Sequence, residues 1–136
     1  MAREPPDKTK NLDELEGTEW GPPTYDSYLV GTCHRLRKKP IGRLTVEDLR
    51  ILIGQKIGLR FLVPLALEVL EREPLVAGDF YEGDLLSATL SAGRDFWTRE
   101  WDWAEQLRRI VANLEQIPPE ISEAVREFKS AVPSTE

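Results

Sequence analysis

Apolar residues recur along most of this chain at the three-to-four spacing of helices, and nowhere at the two-residue alternation of a half-buried strand. Leu29, Cys33 and Leu36 fall at i, i+4 and i+7 and mark one stripe, with Asp26 or Ser27 available to cap it and Pro40 to end it. Val46, Leu49, Leu52 and Ile53 form the next stripe. Thr45 stands before it and Asp48 three residues later, which resembles a capping box with Asp in place of Glu or Gln. Gly54 and Gly58 read as a stop and a restart. Residues 59–72, LRFLVPLALEVLER, are apolar almost all round, with Arg60, Glu68, Glu71 and Arg72 on one narrow strip, so this helix is expected to be mostly buried. Pro64 is tolerated if it lies in the first turn and kinks the helix if it lies deeper.

A short helix is expected at about 84–91. A longer one should run from about 96 to 114, capped by Asp95, with Trp97, Trp101, Ala104, Arg108, Val111 and Leu114 on its inner face. Pro118 and Pro119 start the last helix, whose stripe is Ile121, Val125, Phe128 and Val132. The pattern predicts an all-α fold: a compact single-domain bundle of five to seven helices around a buried central helix at about 59–72. The expected limits are a disordered N-terminal tail over 1–11, the helical domain over 12–132 and a short C-terminal tail over 133–136. The loop 17–26, GTEWGPPTYD, is expected to pin Trp20 and Tyr25 on the domain surface.

Composition narrows the classes of function. The chain of 136 residues carries 18 Lys and Arg against 24 Asp and Glu, a net charge of −6. That balance disfavours general nucleic-acid binding, which needs a basic footprint, and suits a basic protein partner. The one cysteine, Cys33, excludes an internal disulfide. The N-terminus has no apolar signal region, and FLVPLAL at 61–67 is too short to span a bilayer, so no membrane association and a cytoplasmic location are expected. Nothing in the pattern demands more than a monomer or a weak dimer.

Candidate chemistry centres on residues 76–86, VAGDFYEGDLL, where acids and two large aromatics sit among glycines. A calcium loop starting at Asp79 fails the EF-hand pattern, because Asp84 falls at the sixth position and Leu90 at the twelfth, where Gly and Glu belong. With one His and one Cys, a zinc site is not expected, nor is any cofactor, since no phosphate-cradling glycine motif occurs. Cys33 and His34 are sequence neighbours that point about 100° apart on a helix, which disfavours a dyad. No catalytic residue is assigned. What remains is an acidic, aromatic surface, with Glu71, Glu73, Asp79, Phe80, Tyr81, Glu82 and Asp84 as candidate partner-binding residues. The competing readings are a solvated acidic face, a carboxylate-dependent hydrolase using Asp79, Glu82 and Asp84, and a nucleic-acid-binding regulator using Arg35, Arg37, Lys38, Lys39 and Arg43. For that basic cluster the plainer role is to complement a helix C-terminus.

The run from residue 12 to residue 91 resembles the immunity proteins of bacterial contact-dependent growth inhibition (CDI) systems. The most characteristic pieces are LRKKPIGRLTVEDLRILIGQKIG (36–58), LVPLALEVLE (62–71) and GDFYEGDLL (78–86). From Ala92 onward the resemblance is weaker, and Arg60 stands where many members carry Pro. The resemblance implies a small cytoplasmic protein, not an enzyme, that binds and neutralises the C-terminal toxin domain of a polymorphic toxin. Many such toxins are nucleases, some of them RNase A-like, which implies a basic partner. It supplies no catalytic residues and does not say which residues meet the toxin.

Overall fold

The structure, a computed structural model, describes residues 5–21 and 27–132. Eight α-helices form among them: α1 (Leu12–Glu16), α2 (Tyr28–Leu36), α3 (Val46–Gly54), α4 (Leu59–Arg72), α5 (Asp84–Leu90), α6 (Arg94–Arg99), α7 (Trp101–Ala112) and α8 (Pro119–Ala131). A 3-10 turn, Ile41–Arg43, links α2 to α3. The all-α class is as the periodicity predicts. Two features bring the helices to eight: α1 has too few residues to show a stripe, and the helix expected over 96–114 is broken in two.

The starts of α2 and α3 follow their caps. The Ser27 hydroxyl accepts from the Val30 N–H. In α3, Thr45 Oγ1 accepts from the Asp48 N–H (3.1 Å) while Asp48 Oδ2 accepts from the Thr45 N–H (3.0 Å), a complete capping box. The Asp48 carboxylate also takes a hydrogen bond from Lys39 Nζ (2.8 Å), so the residue both caps α3 and ties it to the end of α2. In α1 the box is Asn11 with Glu14. Asp26 and Tyr25 lie outside the described residues.

α4 buries Leu62, Val63, Leu65, Ala66, Leu67 and Leu70, and it packs on α3, α5 and α7. It shares the centre with α3 and α5, which pack on one another, and α5 reaches α8. Burying side chains of this size contributes about 1.5–3 kcal/mol each, so these central helices carry a large share of the driving force. Pro64 is the sixth residue of α4, past the first turn, and leaves the Arg60 carbonyl without its helical donor. α4 begins at Gly58 (φ 63°), where a Cβ would sit 2.7 Å from Leu12 Cδ2. Glycine is needed there both for the left-handed backbone and for the approach of α1.

The break comes at Glu100, whose φ of −113° and ψ of 54° are not helical. It rotates the inner face, so Trp97 is fully buried while Trp101 points out and is 56% exposed. The buried positions of α7 are Ala104, Leu107, Ile110 and Val111, rather than the stripe expected through Trp101 and Arg108. Asp95 lies in the first turn of α6, after Gly93 at the cap position, so it is not the cap. Trp97 locks α6 in place: its Nε1–H donates to the Leu90 carbonyl (3.3 Å) and its ring meets Phe128 edge-on (5.4 Å, 84°).

Before α1, residues read from the sequence as the end of a tail lie against the domain. The Gly42 N–H donates to the Lys8 carbonyl and the Ile41 N–H to the Lys10 carbonyl, both at 2.9 Å.

Candidate interaction site

The loop between α4 and α5 is organised by two carboxylates that reach it from different helices, α5 and α3. Asp84, the first residue of α5, turns its side chain back into the loop and is 3% exposed. Its Oδ1 accepts from the Gly78 N–H (2.6 Å), and its Oδ2 accepts from the N–H groups of Phe80 (3.0 Å) and Tyr81 (3.3 Å). Glu47, in the first turn of α3, takes the next amide: its Oε1 accepts from the Asp79 N–H (2.9 Å). Four successive loop amides, 78 to 81, therefore end on carboxylate oxygens. Hydrogen bonds to an ionised acceptor are about twice as strong as neutral ones. Gly78 makes the approach possible, because a Cβ there would stand 2.6 Å from Glu47 Oε1 and 3.0 Å from Asp84 Oδ2.

Arg50 closes the arrangement one turn along α3. Its Nε and Nη2 donate to the Glu47 carboxylate (2.7 and 2.5 Å), and Nε lies 3.8 Å from Asp84 Oδ2. The fork geometry suits a bidentate carboxylate. The hydrogen bonds from Arg50 hold the Glu47 carboxyl below its ordinary range; burial opposes this and the Asp79 N–H assists it. The same pair raises Arg50 above its ordinary value. The Arg50 guanidinium carbon lies 4.1 Å from the centre of the Phe80 ring, within cation–π range.

The candidate residues divide into those that build the loop and those that it displays. Phe80 is 71% exposed. Tyr81 is half-buried and packs against the core. Glu71, Glu73, Asp79 and Glu82 are exposed, and Glu71 accepts a hydrogen bond from Gln106 on α7 (3.1 Å). Asp84 is the correction: it faces inward, because the loop amides left free between two helices draw the nearest carboxylate beneath them. Both of its oxygens are taken by backbone, so it is not placed to face a partner or a substrate. Arg50 and Glu47 went unseen in the sequence. Their only signal is a Glu–Arg spacing of three on a helix, which is common on solvated faces.

The basic cluster at 35–43 is largely spent within the fold. Arg37 is 1% exposed and is held by Asp13 Oδ1 (2.9 Å), Glu16 Oε1 (2.5 Å) and the face of Trp20 (4.2 Å). Lys38 pairs with Asp13 and donates to the Trp20 carbonyl (3.1 Å). Lys39 pairs with Asp48. Arg35 and Arg43 are exposed. His34 Nδ1–H donates to the Gly21 carbonyl (2.8 Å), and its ring lies 4.9 Å from that of Trp20. These groups clasp residues 11–21 onto α2. Cys33 is buried, and burial pushes its thiol above the ordinary value, so it is kept as an inert core group.

No group of three or more His, Cys, Asp or Glu side chains is placed to hold a metal among the described residues. None of their helices is long and apolar enough to cross a membrane. A family model described as CDI immunity proteins matches residues 14–107, a span that contains the whole of the loop and both of its carboxylate anchors. No curated protein matches the chain, and no solved structure does.

Proposed function

Because this chain belongs to the CDI immunity proteins, we propose that it binds the cognate C-terminal toxin domain of a CDI system and neutralises it by occupying it stoichiometrically rather than by turnover. In this reading the protein acts in the cytoplasm of the cell that makes it. Its partner is a basic nuclease domain, with an RNase A-like one as the specific case. The observation that carries the reading is the loop over 78–84. Its backbone is tied to Asp84 and Glu47, so that Phe80 stands exposed in the same loop as the exposed Asp79 and Glu82, with Glu71 and Glu73 exposed at the end of α4 that leads into it.

The physical case rests on pre-organisation and charge. A nuclease holds phosphates with cations, and an acidic surface occupies the same cleft while steering the encounter. A loop whose amides are already bonded loses little freedom on docking. Neutralising a toxin present at trace levels requires a dissociation constant of about 1 nM or lower, roughly −12 kcal/mol.

The reading is tested by co-expressing the chain with the toxin domain encoded immediately upstream of it. Rescue of growth and a one-to-one complex on gel filtration are expected; free toxin and unrescued growth overturn it. The surface is tested by reversing the charge of Glu71, Glu73, Asp79 and Glu82 together, which leaves the buried Asp84 untouched. Association at low salt should slow by about tenfold or more and lose much of its salt dependence. Unchanged association kinetics would move the interface away from this loop.

A further inference from the structure

Phe80 is held more firmly than an exposed side chain on a loop has reason to be. Its backbone N–H is bonded to Asp84 Oδ2 (3.0 Å), and one face of its ring lies under the Arg50 guanidinium at 4.1 Å. The ring is nevertheless 71% exposed, so its other face and its edge meet solvent. Arg50 itself is only 17% exposed and has its charge compensated twice, by Glu47 at 2.5 Å and Asp84 at 3.8 Å. A cation so enclosed offers little charge to an incoming basic partner and little surface for direct contact. What it offers is a wall that fixes the orientation of the ring beside it.

We infer that Arg50 is a positioning residue of the toxin-binding surface: it clamps Phe80 in the outward rotamer in which the ring plugs an apolar socket on the toxin domain, a socket rimmed by cations that meet Asp79 and Glu82. This rests on the reading that the α4–α5 loop faces the toxin, and it deepens that reading by naming the anchor and the group that sets it. The charge pattern selects the occupant. An apolar ring flanked by exposed carboxylates complements a socket bordered by Lys or Arg, which is what the entrance of a phosphate-handling cleft presents. An aromatic anchor seated in a pocket carries a large share of interface affinity, and holding it in place beforehand removes the cost of ordering it on binding.

The experiment is a double-mutant cycle read by the dissociation constant for the purified upstream toxin domain, using Phe80→Ala, Arg50→Met and both together. Phe80→Ala should weaken binding about 30-fold or more, the factor that corresponds to a hot-spot residue. Arg50→Met should weaken it about 3- to 10-fold through loss of the pre-set ring. In the Phe80→Ala background, Arg50→Met should have no further effect, because the ring it positions is gone. A role for Arg50 in merely holding the fold would persist in that background, so an equal loss there overturns the clamp while leaving the docking surface standing. Full affinity in Phe80→Ala overturns the loop as the toxin-facing surface, and the clamp with it. Should Arg50→Met fold poorly, Arg50→Lys keeps a cation for Glu47 and Asp84 but stacks less well on the ring. It should reproduce the loss of affinity in part, and only while Phe80 is present; an equal loss in the Phe80→Ala background counts against the clamp in the same way.

Discussion

At the scale of single residues, carboxylates do most of the organising here, and they do it from beneath the surface. Asp84 collects three loop amides at 3% exposure, so Asp84→Ala leaves three N–H donors unpaired. We expect a loss of about 3 kcal/mol in urea denaturation, with a smaller loss for Asp84→Asn, whose amide oxygen still accepts. Among the carboxyls that titrate below their ordinary range are Asp13, Asp48 and Glu47. Burial raises Asp13, but hydrogen bonds from Lys38 and Arg37 outweigh it; burial likewise raises Asp48, and Lys39 and the Thr45 N–H outweigh it. Glu47 is lowered first by Arg50. A carboxyl with a lower value in the folded state contributes stability that is fully present above its ordinary value, 3.8 for Asp and 4.5 for Glu. That contribution is lost as pH falls through the folded value. Stability should therefore drop as the pH is lowered below about 4.5, and Glu47→Gln should be less stable than the parent at pH 7 but lose less on acidification. An equally steep acid loss in Glu47→Gln would show that the pair with Arg50 does not couple to folding.

At the scale of elements, the cap of α3 was written in the sequence, whereas the expected Asp95 cap and the break at Glu100 were decided otherwise. Thr45 and Asp48 announced α3 as a pair, and Asn11 with Glu14 carries the same device for α1, where five residues leave no periodic stripe to notice. The division of 96–114 at Glu100 has no proline or glycine to mark it, and it reversed the expected roles of Trp97 and Trp101. The physical cause lies in tertiary packing. Trp97 is fixed by Phe128 and by the Leu90 carbonyl, while α7 turns Leu107, Ile110 and Val111 to the core. The junction of α3 and α4 depends on Gly58, where Gly58→Ala combines a left-handed φ with an overlap against Leu12. We expect it to cost about 2 kcal/mol or more, read as a lowered thermal midpoint with the helical signal of the native state retained.

At the scale of the whole molecule, the net charge of −6 is unevenly used. Arg37 is buried against Asp13 and Glu16, and Lys38 and Lys39 are paired with Asp13 and Asp48, whereas Glu71, Glu73, Asp79 and Glu82 face solvent. Along residues 71–82 the exposed acids stand against a single cation, Arg72, so this stretch is strongly one-sided. Association with a basic toxin domain should accordingly slow steeply as salt rises from about 50 to 200 mM, while dissociation changes little, as stopped-flow mixing can measure. A salt-independent association rate would remove electrostatic steering from the account.

Periodicity, caps and proline placement determined the helical class, the buried helix at 59–72 and the approximate place of most elements, because each of these depends on residues within a few turns of one another. Residue counting also removed the calcium loop and left the acid-rich loop at 76–86 as the feature to examine. Only the tertiary structure decided which of its groups are displayed. The two partners that set the loop, Glu47 and Arg50, lie more than 25 residues upstream on α3, and no local spacing links them to Gly78, Phe80 or Asp84. Folding brings α3 against α5 and places four unpaired amides between two carboxylates. The need to satisfy those amides turns Asp84 inward and, with Arg50 against one face of the ring, leaves Phe80 facing out.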